Sequence, residues 1–220
     1  MINEFETIED LGSGYKIIQN NDGFKFGTDA VLLSDFANIK PNDVVMDLCT
    51  GTGIVPLLLH QKKKPKHISA LEIQTEVYEM AKRSIALNGL EDDINIICGD
   101  LKNIKNIKEA NSFTAITCNP PYMVDLTGKK NINDSKTISR HEVMCTLKDV
   151  IECASYLLGS GGRLFMVHRP ERLVDIFYYM RSYRLEPKKI EFVGGNNNPS
   201  LVLIEAQKDR KPGLIFGGKK

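Results

Sequence analysis

The chain has 220 residues, 42% of them hydrophobic and 26% charged, an ordinary globular composition that argues for one domain and against a disordered or fibrous chain. Its 29 Lys and Arg against 28 Asp and Glu leave a net charge of +1, which excludes a whole-surface attraction for nucleic acid while leaving room for a local basic patch. The longest strictly apolar run, residues 54–59, is far short of the ~18 residues of a membrane span.

From residue 44 onward, short strand-like runs alternate with segments of helical period. Strands are expected at 44–48, 68–73, 94–98, 113–118 and 163–168. Val77, Met80, Ala81 and Ile85 recur at helical spacing. Val143, Met144, Leu147, Val150, Ile151, Ala154, Leu157 and Leu158 form one continuous helical face, and Leu173, Ile176, Phe177 and Met180 repeat the pattern after Pro170, a residue suited to a first turn. Residues 189–193 and 201–206 are two apolar runs joined by Gly-Gly-Asn-Asn-Asn-Pro-Ser, which reads as an antiparallel pair at the sheet edge. Alternating strands and helices predict an α/β fold: an open, Rossmann-like sheet of parallel strands with that antiparallel edge pair and helices on both faces.

The five cysteines, Cys49, Cys98, Cys118, Cys145 and Cys153, are odd in number and lack CxxC spacing, which fits neither a disulfide framework nor a metal site. Cys49, Cys98 and Cys118 end apolar runs, where a thiol behaves as a small buried hydrophobe. The acidic, polar start carries no leader pattern, so the expected setting is cytoplasmic.

Open α/β sheets bind ligands beyond the carboxyl ends of their strands, and there this sequence is most informative. The first such strand runs into Asp47-Leu-Cys49-Thr-Gly51-Thr-Gly53, a turn whose glycines let backbone approach a ligand closely. A dinucleotide fingerprint asks for Gly or Ala three residues after the second glycine; Pro56 stands there instead. Glu72 closes the next strand, where a carboxylate can accept both hydroxyls of a ribose. Asp100 follows the third and suits either an adenine amine or the cap of a following helix. Asn119-Pro120-Pro121-Tyr122 follows the fourth. Two prolines remove two donors and leave the Pro120 carbonyl as an acceptor. Asn119 adds a side-chain acceptor, and Tyr122 an aromatic face on which a base can stack. Two acceptors aimed at one amine hold its N–H bonds and turn its lone pair toward an electrophile.

These motifs resemble class I S-adenosylmethionine-dependent methyltransferases of the amino-methylating group, and within it the tRNA(1)(Val) adenine-37 N6-methyltransferase family. Phe-Gly-Thr-Asp-Ala-Val-Leu-Leu at 26–33, Ser-Arg-His-Glu at 139–142 and Met-Val-His-Arg-Pro-Glu-Arg at 166–172 point to that subgroup. The resemblance implies that Asp47, Cys49, Gly51 and Gly53 shape the cofactor loop, Glu72 with Ile73 holds the ribose, and Asp100 with Leu101 meets the adenine. Thr28 and Asp29 would cover the methionine end, and Asn119, Pro120, Pro121 and Tyr122 would position the target amine. Substrate RNA would be met by Tyr122, Lys129, Lys130, Arg140, His141, Arg169 and Arg172. The implied organisation is an N-terminal segment, 1–43, packing on the cofactor site, a methyltransferase core, 44–207, and a basic tail, 208–220. A tRNA partner is expected, and neither a metal nor a membrane. Two rivals use similar chemistry: an rRNA amino-methyltransferase, and a protein glutamine N5-methyltransferase, whose helical N-terminal domain does not fit into the 43 residues before Val44. A nicotinamide oxidoreductase is opposed by Pro56.

Overall fold

The computed structural model describes residues 2–21, 27–121, 145–195 and 198–217. In chain order its elements are β1 (Glu6–Gly12), β2 (Tyr15–Asn20), α1 (Thr28–Phe36), β3 (Val44–Leu48), α2 (Ile54–Lys63), β4 (His67–Glu72), α3 (Thr75–Leu87), β5 (Ile94–Cys98), β6 (Phe113–Cys118), α4 (Leu147–Leu157), β7 (Leu158–His168), α5 (Leu173–Ser182), β8 (Leu185–Gly195), β9 (Asn198–Lys208) and β10 (Ile215–Gly217). Short 3-10 helices cover Leu101–Asn106 and Pro170–Arg172.

Eight strands form one sheet in the order β10-β8-β9-β7-β6-β3-β4-β5. Strands β3, β4, β5, β6 and β7 are parallel to their neighbours among themselves, and β9 runs antiparallel to both β7 and β8. Residues alternate between the faces of the sheet. In β3, Met46 and Leu48 enter the core beneath α4 and α5, whereas Val45 enters the core beneath α1, α2 and α3. α4 starts where Thr146 and Asp149 form a reciprocal capping box and buries Val150, Ile151, Cys153, Ala154 and Leu157; Val150, Ile151 and Leu157 each contribute roughly 1.5–3 kcal/mol.

β1 and β2 form a separate hairpin. Ile17 and Ile18 are buried, and the Ile18 N–H donates to Ser84 Oγ at 3.0 Å. Arg83 grips Glu6 with two nitrogens, at 2.7 and 2.6 Å. That hydrogen-bonded guanidinium holds the Glu6 carboxyl down at about 2 against the opposing effect of burial.

The expected strands and helices are present, with four differences. The antiparallel pair expected at the sheet edge, β8 and β9, lies one strand in, because β10 pairs with the outer side of β8. The helical face read as 143–158 yields a helix that begins at Leu147, Leu158 being already strand; Val143 and Met144 lie outside the described residues. β7 starts at Leu158 rather than near Arg163, passing through a bulge relative to β6. Cys98 is exposed, because β5 is the sheet's outer strand and its last residue has a partner strand on one side alone. No helix among the described residues is long and apolar enough to cross a membrane.

Candidate active site

The chain moves outward from β3 through β4 to β5 and then returns to β6 on the other side of β3. Strand order therefore reverses between β3 and β6, the place where open α/β sheets leave a crevice for ligands. The glycine loop lies beyond β3 and Asn119 beyond β6. Two motifs 66 or more residues apart in sequence are adjacent because β3 pairs directly with β6, Leu48 opposite Cys118.

The loop needs its glycines. Cys49, Gly51 and Gly53 all have positive φ, of 58, 58 and 83°. At Gly51 no atom lies within 4 Å of where a Cβ would stand, so backbone is open to a ligand. Gly53 caps α2 in the left-handed conformation, and a Cβ there would meet Ala81 of α3 at 3.4 Å. Pro56 is the third residue of α2, where a missing N–H costs no helical hydrogen bond.

Glu72 is buried. Its Oε2 accepts the Gly51 N–H at 2.9 Å and its Oε1 accepts the Gln74 N–H at 3.0 Å. The carboxylate thus holds the loop in shape and keeps further lone pairs for a ligand hydroxyl. Ile73 follows it, half-buried. Asp47 is 1% exposed and accepts the Thr117 hydroxyl through Oδ1 at 2.6 Å. Its Oδ2 and the Thr50 hydroxyl are buried with no hydrogen-bond partner among the described residues. Burial pushes the Asp47 carboxyl up to about 7, the neighbouring Thr117 and Thr50 hydroxyls opposing the rise and the Glu72 charge adding to it. Asp100 caps the 3-10 helix after β5, accepting the Lys102 N–H at 2.9 Å. Leu101 is buried in the core beneath α4.

Asn119 is half-buried, Pro120 buried and Pro121 half-buried. Thr28 and Asp29 form the first turn of α1, which packs on α2, β7 and β9. Arg169 and Arg172 follow β7: Arg169 Nη1 donates to Ser200 O at 3.1 Å, and Arg172 Nε pairs with Asp175 at 2.8 Å. Tyr122, Lys129, Lys130, Arg140 and His141 lie outside the described residues. Thr50 and Thr117 were missed by sequence reasoning: Thr50 lies in the glycine loop itself, whereas Thr117 reaches Asp47 only because β3 pairs with β6. His168 was missed too. It ends β7, 4% exposed, and its Nδ1 accepts the Arg169 N–H at 2.8 Å.

Asp47 at the end of β3 and Glu72, bound to the Gly51 N–H, flank an open glycine turn, and their buried oxygens suit a cofactor rich in hydroxyls and positive charge. S-adenosylmethionine, with its ribose hydroxyls and its cationic sulfonium and amine, meets that description. The fold and this crevice define a class I methyltransferase. Over residues 20–176 the sequence matches the methyltransferase small domain, and the chain belongs to that family. It is 29% identical over 202 residues to the tRNA1(Val) (adenine(37)-N6)-methyltransferase of Porphyromonas gingivalis, covering 87% of this chain and 77% of that protein. The enzyme of the same name from Histophilus somni is 28% identical over 201 residues, covering 90% and 83%. Among solved structures, a predicted O-methyltransferase from Agrobacterium tumefaciens superposes with a TM-score of 0.68 at 21% identity, over 86% of this chain and 84% of that one.

Proposed function

We propose that this protein is an S-adenosylmethionine-dependent N-methyltransferase acting in the cytoplasm on the N6 amine of an adenine in tRNA, position 37 of a valine tRNA. One observation carries the chemistry: Asn119, Pro120 and Pro121, the described part of the Asn-Pro-Pro-Tyr motif, follow β6, directly across the strand-order reversal from the glycine loop. Similarity to the Porphyromonas and Histophilus enzymes, over most of the chain, supports the substrate.

S-adenosylmethionine, when bound, supplies a methyl group on a good leaving sulfur. The protein's part is alignment: in-line displacement needs donor and acceptor at about 3–3.5 Å and a site that excludes water. The adenine amine is a poor nucleophile because its lone pair is delocalised into the ring. Accepting both N–H bonds on Asn119 Oδ1 and the Pro120 carbonyl opposes that delocalisation and stabilises the positive charge that develops on nitrogen. Thr28 and Asp29 cover the methionine end of the cofactor, within the N-terminal segment 1–43.

Mass spectrometry of tRNA nucleosides from cells with and without the gene tests the reading, together with methylation of the isolated tRNA by pure protein. N6-methyladenosine should disappear from a valine tRNA on deletion and return on incubation. Methylation of a glutamine peptide, with no activity on any tRNA, would overturn it.

A further inference from the structure

A cavity of about 320 Å³ opens beside the proline turn, on the α4 and α5 side of the sheet. Its described lining includes Pro120, Pro121, Lys148, His168, Arg172 and Tyr179, a volume within the range of small-ligand sites. Four separate elements converge on it: the end of β6, the first turn of α4, the end of β7 and α5. None of Lys148, His168 or Tyr179 has a part in the chemistry derived above.

The lining has two chemical characters. Lys148 is exposed at the start of α4 and spends one hydrogen bond on the Tyr183 hydroxyl, leaving further ammonium donors, and Arg172 spends its Nε on Asp175 at 2.8 Å, while a guanidinium carries four further donors on its two Nη atoms. The nearby Asp149 is turned back into the capping box with Thr146. The other character is aromatic. Tyr179 lines the cavity and meets Tyr178, itself 67% exposed, edge to face, with ring centroids 5.3 Å apart. His168 lends a neutral ring: its Nδ1 is taken by the Arg169 N–H, and burial pushes the imidazole down to about 4.

Such a cavity is a poor seat for the reacting amine. Positive charge grows on that nitrogen in the transition state, and two cations beside it would raise the barrier. The same cations suit a phosphodiester, and a tyrosine pair suits the base attached to it, since base–aromatic stacking is tolerant of sequence. Resting on the tRNA reading above, we infer that this cavity is a subsite for the nucleotide adjoining the target, its phosphate held by Lys148 and Arg172 and its base against Tyr179. The subsite anchors the strand one step from Asn119, which lets the target base swing out toward the acceptors while its neighbour stays fixed.

The test uses an anticodon stem-loop RNA with a single neutral methylphosphonate linkage placed at each position around the target adenine in turn. Methylation and RNA binding are measured for wild type, Lys148→Gln, Arg172→Gln and Tyr179→Leu, with cofactor binding as the check that each variant is folded. One linkage should raise the wild-type KM about tenfold, the scale of a lost charged hydrogen bond, and should add little in Lys148→Gln or Arg172→Gln. Each of those variants should also lower the slope of log affinity against log salt by about one phosphate contact. Tyr179→Leu should weaken binding of the stem-loop without changing that slope. If every neutral linkage costs the variants as much as wild type, the subsite is wrong while the tRNA reading stands. A wild type active on no tRNA, including the unmodified stem-loop, would overturn that reading and the subsite with it.

Discussion

Asn119 follows β6 and Glu72 ends β4, so the two flank the β3 glycine loop from opposite sides, and their removal should separate chemistry from binding. In the proposed reaction Asn119→Ala loses an acceptor for the amine, a transition-state cost of about 3 kcal/mol by comparison with lost oxyanion-hole donors. Single-turnover methylation should fall at least a hundredfold while calorimetry finds S-adenosylmethionine affinity nearly unchanged. Glu72→Ala should weaken cofactor binding first, because the carboxylate also holds the Gly51 N–H. Asp47 offers a test of a different kind. Its folded value of about 7 lies above the unfolded 3.8, so between those values the native state binds the extra proton and stability falls as pH rises. Asp47→Asn removes that dependence while retaining an acceptor for Thr117. Relative to wild type, the variant should gain about 2–3 kcal/mol between pH 5 and pH 8, read from urea unfolding at the two pH values. A constant difference would mean that Asp47 does not titrate in that window.

The β1–β2 hairpin packs on α3, and the Glu6–Arg83 pair fastens it there. Glu6 is depressed from 4.5 to about 2, so its stabilisation is complete above pH 4.5 and is lost as pH falls toward 2. The amount is about 3 kcal/mol. The protection factors of the Ile17 and Ile18 amides, exchange rates corrected for the intrinsic rate at each pH, should fall through that window in wild type, and in Arg83→Met they should be low at both ends of it. The hairpin was not legible as an element beforehand, because Glu6, Glu9 and Asp10 and the turn around Ser13 gave β1 the look of a polar loop; its partner β2 is apolar in the middle alone. From residue 44 the reading was easier. Buried parallel strands are continuous apolar runs, and the helices between them keep their period. β7 resisted at one end, since Gly159, Gly161 and Gly162 carry no side chain to mark a strand. The motifs of the candidate site stand out in the sequence because they sit at strand ends: Asp47 and Glu72 within the last residues of β3 and β4, Asn119 just beyond β6. The cavity beside Pro120 does not, because its residues come from four elements and no local spacing links Lys148 to His168 or Tyr179.

Across the whole molecule, strand order differs from chain order most sharply at the antiparallel end. β8 is made before β9, yet β9 lies between β8 and β7 and hydrogen-bonds both. A chain emerging from the ribosome therefore finishes β7 with its edge open, then β8, which has no correct neighbour until β9 arrives. Synthesis must run on through residue 208 before the sheet can close, so folding of this half is a late event and the waiting edge of β7 is exposed to other nascent chains. A protein ended after residue 197 should keep much of its helical signal yet associate, seen as light scattering at micromolar concentration, and it should bind S-adenosylmethionine poorly. A monomeric truncated form with one cooperative unfolding transition would show instead that the sheet can close without its penultimate strand. Its last-made long strand is thus the one that decides when the cell has a usable molecule.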